Sequence, residues 1–199
     1  MGEHGFSPNE QTQLLILAID DSIKTAREHH KIFAFGAGIA LEMEAGYNRG
    51  DSNLTRNHAD IDIHPYEQDI PFWKSYFEEK DYLISTNSGI KDSSKAFLAY
   101  SPDSKKHDDP EDGMFSVDVY GLLIDDRNGV HSRETGIDDP WNMTWDEAFI
   151  KVAWKGHDVW VMKHEIALRN KRETASAMGT PLREKDIHDH ELFNVEIED

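Results

Sequence analysis

The chain has 199 residues, of which 38% are hydrophobic and 10% aromatic, enough to bury the core of one ordinary domain and to exclude wholesale disorder. It contains no cysteine, so disulfide scaffolds, zinc–thiolate sites and cysteine nucleophiles are excluded. With 21 Lys and Arg against 39 Asp and Glu, the formal net charge of −18 repels nucleic acid and attracts metal ions and cationic small molecules, although acidity alone also serves solubility.

The first expected element is a helix over residues 8–28. Ser7 suits its cap, Pro8 its first position and Glu10 a capping box, with Leu15, Ile19, Ile23 and Ala26 at helical spacing. A buried strand follows at 32–35, broken by Gly36-Ala37-Gly38. A short helix over 39–45 is expected to stop at Gly46, with a polar loop over 47–58. Residues 59–63 alternate apolar with acidic, the pattern of a strand with one polar face. A helix around 66–80 is disturbed or started by Pro71. Strands are expected at 82–85, 96–100 and 115–120, separated by a charged loop at 101–113. Asn128-Gly129 favours a hairpin turn. Four of the five Trp lie between 136 and 160 and read as packing residues. A final helical part covers 162–194, broken near Gly179, with Thr180 as cap and Pro181 in the first turn of its second helix. The mixture predicts a mixed α/β or α+β domain with C-terminal helices.

Asp60-x-Asp62 is the sharpest chemical feature. On a strand, residues two apart leave the same face, so the two carboxylates repel unless water or a cation lies between them. Asp118, between Val117 and Val119, offers the same geometry from a second strand. Oxygen ligands of this kind suit Mg²⁺, which takes one or two carboxylates together with substrate phosphates. The glycine turn at 36–38 leads a strand into a helix, where backbone N–H groups can meet phosphate. His188-Asp189-His190 invites a metal reading, but neighbours one or two apart on a helix diverge.

The run Leu54-Thr55-Arg56-Asn57-His58-Ala59-Asp60-Ile61-Asp62-Ile63, preceded by Ala37-Gly38-Ile39-Ala40-Leu41, resembles the nucleotidyltransferase superfamily with its polymerase-β-like core. The likeness is strongest to the lincosamide and aminoglycoside nucleotidyltransferases, whose signature is a Gly turn followed by Thr-Arg-x-His-x-Asp-h-Asp-h, where h is apolar. Arg183-Glu184-Lys185-Asp186-Ile187-His188-Asp189 is similar to a C-terminal motif of the same group. Three departures stand out: Ala37 where a Gly is usual, a long stretch from Gly38 to Asp60, and a long stretch from Asp62 to Asp118.

The resemblance implies a fold and roles. The fold is α/β (α+β), a small mixed sheet flanked by helices with a short C-terminal helical part. A core over 1–160 carries helices over 161–199 packed on the same domain. Asp60, Asp62 and Asp118 hold Mg²⁺, Asp118 also serves as general base, and Gly36, Gly38, Arg56 and Lys185 face the nucleotide. Lys185 has an equal alternative, an ion pair with Asp189 one turn away. The implied reaction moves NMP, with AMP expected, from an NTP donor, with ATP expected, to a hydroxyl of a small molecule such as an aminoglycoside or lincosamide. An acidic cleft would concentrate a polycationic acceptor. The alternatives are a toxin–antitoxin nucleotidyltransferase acting on a macromolecule and a catalytically silent nucleotide-binding protein of the same fold. No apolar run approaches the ~20 residues of a membrane span and no signal-peptide pattern opens the chain, so a cytoplasmic protein is expected, with a charge that disfavours nucleic acid and with room for a homodimer.

Overall fold

The structure, a computed structural model, describes residues 9–86, 94–106, 109, 114–132 and 139–196. Helix α1 (Glu10–Glu28) begins where the Asn9 side chain accepts the Thr12 amide at 2.8 Å. Asn9 therefore holds the capping position; Ser7 and Pro8, expected there, lie outside the described residues. Leu15, Ile19, Ile23 and Ala26 form the buried stripe of α1 that their spacing predicts.

Strand β1 (Phe33–Phe35) is wholly buried and delivers the chain to Gly36. Helix α2 (Ala37–Arg49) corrects the expected stop at Gly46. It runs through that residue and closes at Gly50, whose φ of 81° is the left-handed conformation that ends helices. Gly46 serves the returning chain instead: a Cβ there would sit 3.0 Å from the Asp51 carbonyl oxygen. Residues 47–49 are accordingly helix rather than loop.

Strand β2 (Asp60–Pro65) is followed by a 3₁₀ turn (Glu67–Asp69) and helix α3 (Ile70–Glu79), with Pro71 in its first turn marking the true start. Strands β3 (Leu83–Ser85) and β4 (Ala96–Tyr100) come next. A 3₁₀ turn (Pro102–Lys106) occupies the start of the expected charged loop; residues 107–108 and 110–113 of that loop lie outside the described residues. Strand β5 (Ser116–Tyr120) leads into β6 (Leu122–Ile124) and β7 (Gly129–Ser132), a hairpin with Asn128 at φ 65° in its turn, as the Asn-Gly pair predicts.

The Trp-rich region forms strand β8 (Asp139–Thr144), a one-turn helix α4 (Trp145–Ala148) and the hairpin β9 (Phe149–Trp154) and β10 (His157–Met162). Helix α5 (His164–Met178) closes at Gly179, φ 64°, where a break was expected. Helix α6 (Glu184–Glu191) is capped at Arg183, not Thr180, because Asp186 at its third position accepts the Arg183 amide and guanidinium. Thr180 and Pro181 lie in the connection.

Among the described residues seven strands form a mixed sheet in the order β3-β4-β5-β2-β1-β10-β9, and β6, β7 and β8 form a second, small sheet. Strands β2 and β5 are parallel neighbours, as are β1 and β10. One set of alternate residues, Ile61 and Ile63 on β2 with Val117 and Val119 on β5, is buried in the main core with Leu15 and Ile19 of α1. Burying an aliphatic side chain of this size stabilises by about 1.5–3 kcal/mol. The other alternates, Asp60, Asp62 and His64 with Ser116, Asp118 and Tyr120, therefore share the opposite face. Among the described residues no helix is long and apolar enough to cross a membrane.

Candidate active site

The pairing register of β2 and β5 places Asp60 opposite Ser116 and Asp62 opposite Asp118. Parallel register partners point to the same side, and neighbouring strands lie about 4.8 Å apart. The three acidic residues singled out in the sequence are thus brought onto one patch of the sheet. The Ser116 hydroxyl donates to Asp118 Oδ1 at 2.9 Å and the Tyr120 hydroxyl to Oδ2 at 3.4 Å, which orients that carboxylate along its own strand. Among the described residues no three His, Asp or Glu side chains are gathered closely enough to hold a metal ion unaided. Mg²⁺ asks for less. It takes one or two carboxylates and completes its shell with water and phosphate oxygens, and an all-oxygen donor set at the edge of a cleft fits that demand.

Asp60 and Asp62 line a cleft of about 810 Å³ together with Gly38, Arg56 and Lys185. Asp118 is adjacent to Asp62 but is not among the lining residues. The glycine turn closes one side. Gly36 donates its amide to the Asp62 carbonyl at 2.9 Å and caps α2. A Cβ at Gly36 would stand 2.3 Å from His64 Nε2, and one at Gly38 2.6 Å from an Arg56 nitrogen. Packing against the His64 ring demands glycine at 36, while at 38 the Arg56 guanidinium would have to shift, and the first turn of α2 thus lies against the cleft. Between them Ala37 adopts φ 43°, a left-handed conformation that costs an L-residue about 1–2 kcal/mol.

Arg56 is engaged on its acidic side. Its guanidinium donates to both oxygens of Asp189, at 3.0 and 3.1 Å, and Asp189 is fully buried. Lys171 on α5 reaches Asp189 at 3.1 Å and Asp186 at 2.8 Å, and Arg183 donates to Asp186 at 2.7 Å. Burial pushes the Asp186 carboxyl up, but the bonds from Arg183 and Lys171 outweigh it and hold the group far below the usual carboxylate range. This chain of charges ties α5 and α6 to the segment before β2. Lys185 does not pair with Asp189; it lines the cleft with no ion-pair partner among the described residues. His188 and His190 diverge as helix geometry requires: His188 Nε2 meets the Thr55 hydroxyl at 2.7 Å and His190 Nδ1 meets the Asp186 carbonyl at 2.7 Å. His58 lies 3.5 Å from the buried Glu42 carboxylate, and burial lowers its pKa, so it is a packing residue of the motif.

No family model and no curated protein matches the chain. Solved structures do. The lincosamide antibiotic adenylyltransferase LnuA, in its lincomycin-bound crystal structure, is similar with a TM-score of 0.63 at 14% identity, over 95% of this chain and 98% of LnuA. The antibiotic-resistance factor ANT(2'')-Ia in solution gives 0.62 at 16% identity, over 91% of this chain and 83% of that one. Its crystal structure with adenylyl-2''-tobramycin gives 0.62 at 15%, over 90% and 87%.

The chain has the nucleotidyltransferase fold.

Within that fold the expected mixed sheet flanked by helices is present, and two cleft residues escaped the sequence reading. His64 continues the period of Asp60 and Asp62 on the same face of β2. It is 4% exposed, burial lowers its pKa to about 4, and its Nδ1 has no hydrogen-bond partner. Trp141, expected only to pack, meets His64 edge-on at 6.3 Å and lines the cleft. The period-2 alternation could have found His64; nothing in the sequence marks Trp141 apart from the other tryptophans. The charge of the cleft also differs from that of the whole. Five basic side chains line it, Arg56, Arg169, Lys171, Arg183 and Lys185. They face four carboxylates, Asp60, Asp62, Glu173 and Asp186. Arg56, Arg169, Lys171 and Arg183 are ion-paired to Asp189, Glu173 and Asp186, so the cleft is close to charge-balanced rather than strongly acidic.

Proposed function

We propose that this protein is a Mg²⁺-dependent nucleotidyltransferase that moves NMP, with AMP expected from ATP, to a hydroxyl of a small molecule. The single observation that carries this reading is the parallel register of Asp62 with Asp118, with Asp60 on the same face, beside a cleft walled by the first turn of α2 and by Lys185. Asp60 and Asp62 would hold Mg²⁺, with Asp118 as the third carboxylate. When bound, the ion neutralises charge on the donor phosphates.

The protein's own groups account for the remaining requirements. Lys185 and Arg183 offer charge to the triphosphate. Asp118, the register partner of Asp62, would take the proton of the acceptor hydroxyl. The acceptor oxygen forms a bond to the α-phosphorus, the bond from that phosphorus to the bridging oxygen breaks, and pyrophosphate leaves with its electron pair. No covalent enzyme intermediate is needed, in keeping with the absence of cysteine.

The structural neighbours support an antibiotic-like acceptor, since LnuA binds lincomycin and ANT(2'')-Ia was captured with adenylylated tobramycin. Pyrophosphate release from Mg-ATP, measured with lincomycin and with tobramycin, tests the reading. Acceptor-dependent release that Asp118→Asn abolishes is the expected result. Equal release by that variant would remove Asp118 from the chemistry.

A further inference from the structure

The face of β2 and β5 changes character along its length. At the Asp60 end the cleft is ionic: Arg183 feels the Asp60 charge, and Arg56 and Lys185 line the wall. One residue pair beyond Asp62 and Asp118 come His64 and Tyr120, with ring centroids 5.8 Å apart, and Trp141 meets His64 edge-on at 6.3 Å. Met162 lines the same cleft. This end carries no formal charge. It is also the end that adjoins Asp118 through Tyr120, whose hydroxyl reaches that carboxylate.

His64 is anomalous here. Its Nε2 edge abuts Gly36, while Nδ1 on the opposite side of the ring is buried without a partner. A buried polar atom without a hydrogen bond is destabilising, and an apolar side chain of similar size would remove the defect. Within the described fold the imidazole contributes no hydrogen bond that Leu would lose. His64 lines the cleft one strand residue pair from Asp118, where a bound ligand is the group that could supply the missing partner.

We infer that the end of the cleft formed by His64, Trp141 and Met162 is the acceptor subsite, that His64 is a positioning residue which hydrogen-bonds the acceptor beside its attacking hydroxyl, and that the acceptor presents an uncharged, apolar face there. The inference rests on the nucleotidyl-transfer reading and deepens it. The triphosphate occupies the ionic end, and the acceptor reaches Asp118 from the aromatic end. Met162 and the edge-on ring pair of His64 and Trp141 offer a polycation no carboxylate to pair with at this end. A singly charged, hydroxylated amphiphile does not meet that conflict.

Calorimetry on the whole chain separates the parts. Mg-ATP is titrated into the parent, His64→Leu, His64→Asn and Trp141→Ala, and lincomycin, a singly charged hydroxylated amphiphile, is titrated with a non-hydrolysable ATP analogue and Mg²⁺ present. Mg-ATP affinity stays within twofold in every variant. Lincomycin affinity falls at least tenfold in His64→Leu and Trp141→Ala, but at most threefold in His64→Asn, whose amide oxygen stands near the Nδ1 position. His64→Leu also melts no lower than the parent, which separates a ligand role from a structural one. Weakened Mg-ATP binding in His64→Leu would place the nucleobase at this end and overturn the inference. So would tight tobramycin binding by a parent that ignores lincomycin, or a parent that binds Mg-ATP and neither antibiotic. A parent that binds no Mg-ATP overturns the nucleotidyl-transfer reading beneath it.

Discussion

Asp62 faces Asp118 across two parallel strands, and like charges so placed destabilise a sheet by about 0.2–1 kcal/mol. Asp62→Asn is therefore expected to melt at or above the parent temperature while losing Mg²⁺-dependent nucleotide binding. A melting curve with and without Mg-ATP checks both halves at once. Asp118→Asn should bind Mg-ATP like the parent and transfer about 10²–10⁴ times more slowly, the usual contribution of a positioned base. Single-turnover rates at saturating donor measure it. These three carboxylates were legible because a strand's period of two exposes co-facial residues without any knowledge of the fold. His64 obeys the same period but carries no carboxylate, so the acidic pattern alone ends at Asp62. The partner of Arg56 was not legible at all: Asp189 is 133 residues away, and only the packing of α6 brings it within 3.0 Å.

Helix α2 shows what local rules can and cannot settle. A glycine in a helical run reads as a stop, yet Gly46 is held inside α2 by the contact of its backbone with Asp51, and the true terminus needed the left-handed Gly50. The start of α2 carries strain at Ala37, so Ala37→Gly should raise stability by about 0.5–1 kcal/mol after the added chain entropy of glycine is subtracted. Chemical denaturation midpoints would show the gain, and a loss would mean that the left-handed conformation is not held. Helix α6 depends instead on ion pairs. Removing the Asp189 charge leaves Arg56 and Lys171 poorly compensated at a buried site, and Asp189→Asn should cost about 3–5 kcal/mol. Asp186 sets the acid limit of the same helix. Its carboxyl is depressed in the folded state, so its contribution is complete above the ordinary carboxylate value of about 4 and is lost as pH falls toward the depressed one. Melting temperature followed from pH 5 downward should fall less steeply in Asp186→Asn than in the parent. Thr180 was the plausible cap for α6 by residue type; Arg183 took the position because Asp186 fixes its amide and guanidinium together.

At the scale of the molecule, the class of fold was legible and the sheet was not. Strands β1 to β5 announced themselves by apolar runs and alternation. Strands β9 and β10 were hidden among tryptophans that read only as packing, although β10 lies between β1 and the edge strand β9 and leads directly into α5. Parallel pairings such as β1 with β10 join residues more than a hundred positions apart and leave no local trace. Net charge misled in a similar way. A total of −18 says nothing of where the charge lies, and the cleft gathers basic side chains on α5 and α6 opposite the acidic strand. The measurement that bears most directly on the account is thermal stability with ATP, GTP, CTP and UTP, each with and without Mg²⁺, in the parent and in Asp62→Asn. A nucleotide at a hundred times its Kd raises stability by roughly 2.7 kcal/mol. The account predicts a Mg²⁺-dependent rise with at least one nucleotide in the parent and none in Asp62→Asn. An equal rise in both proteins, or a rise in the parent that ignores Mg²⁺, would contradict it.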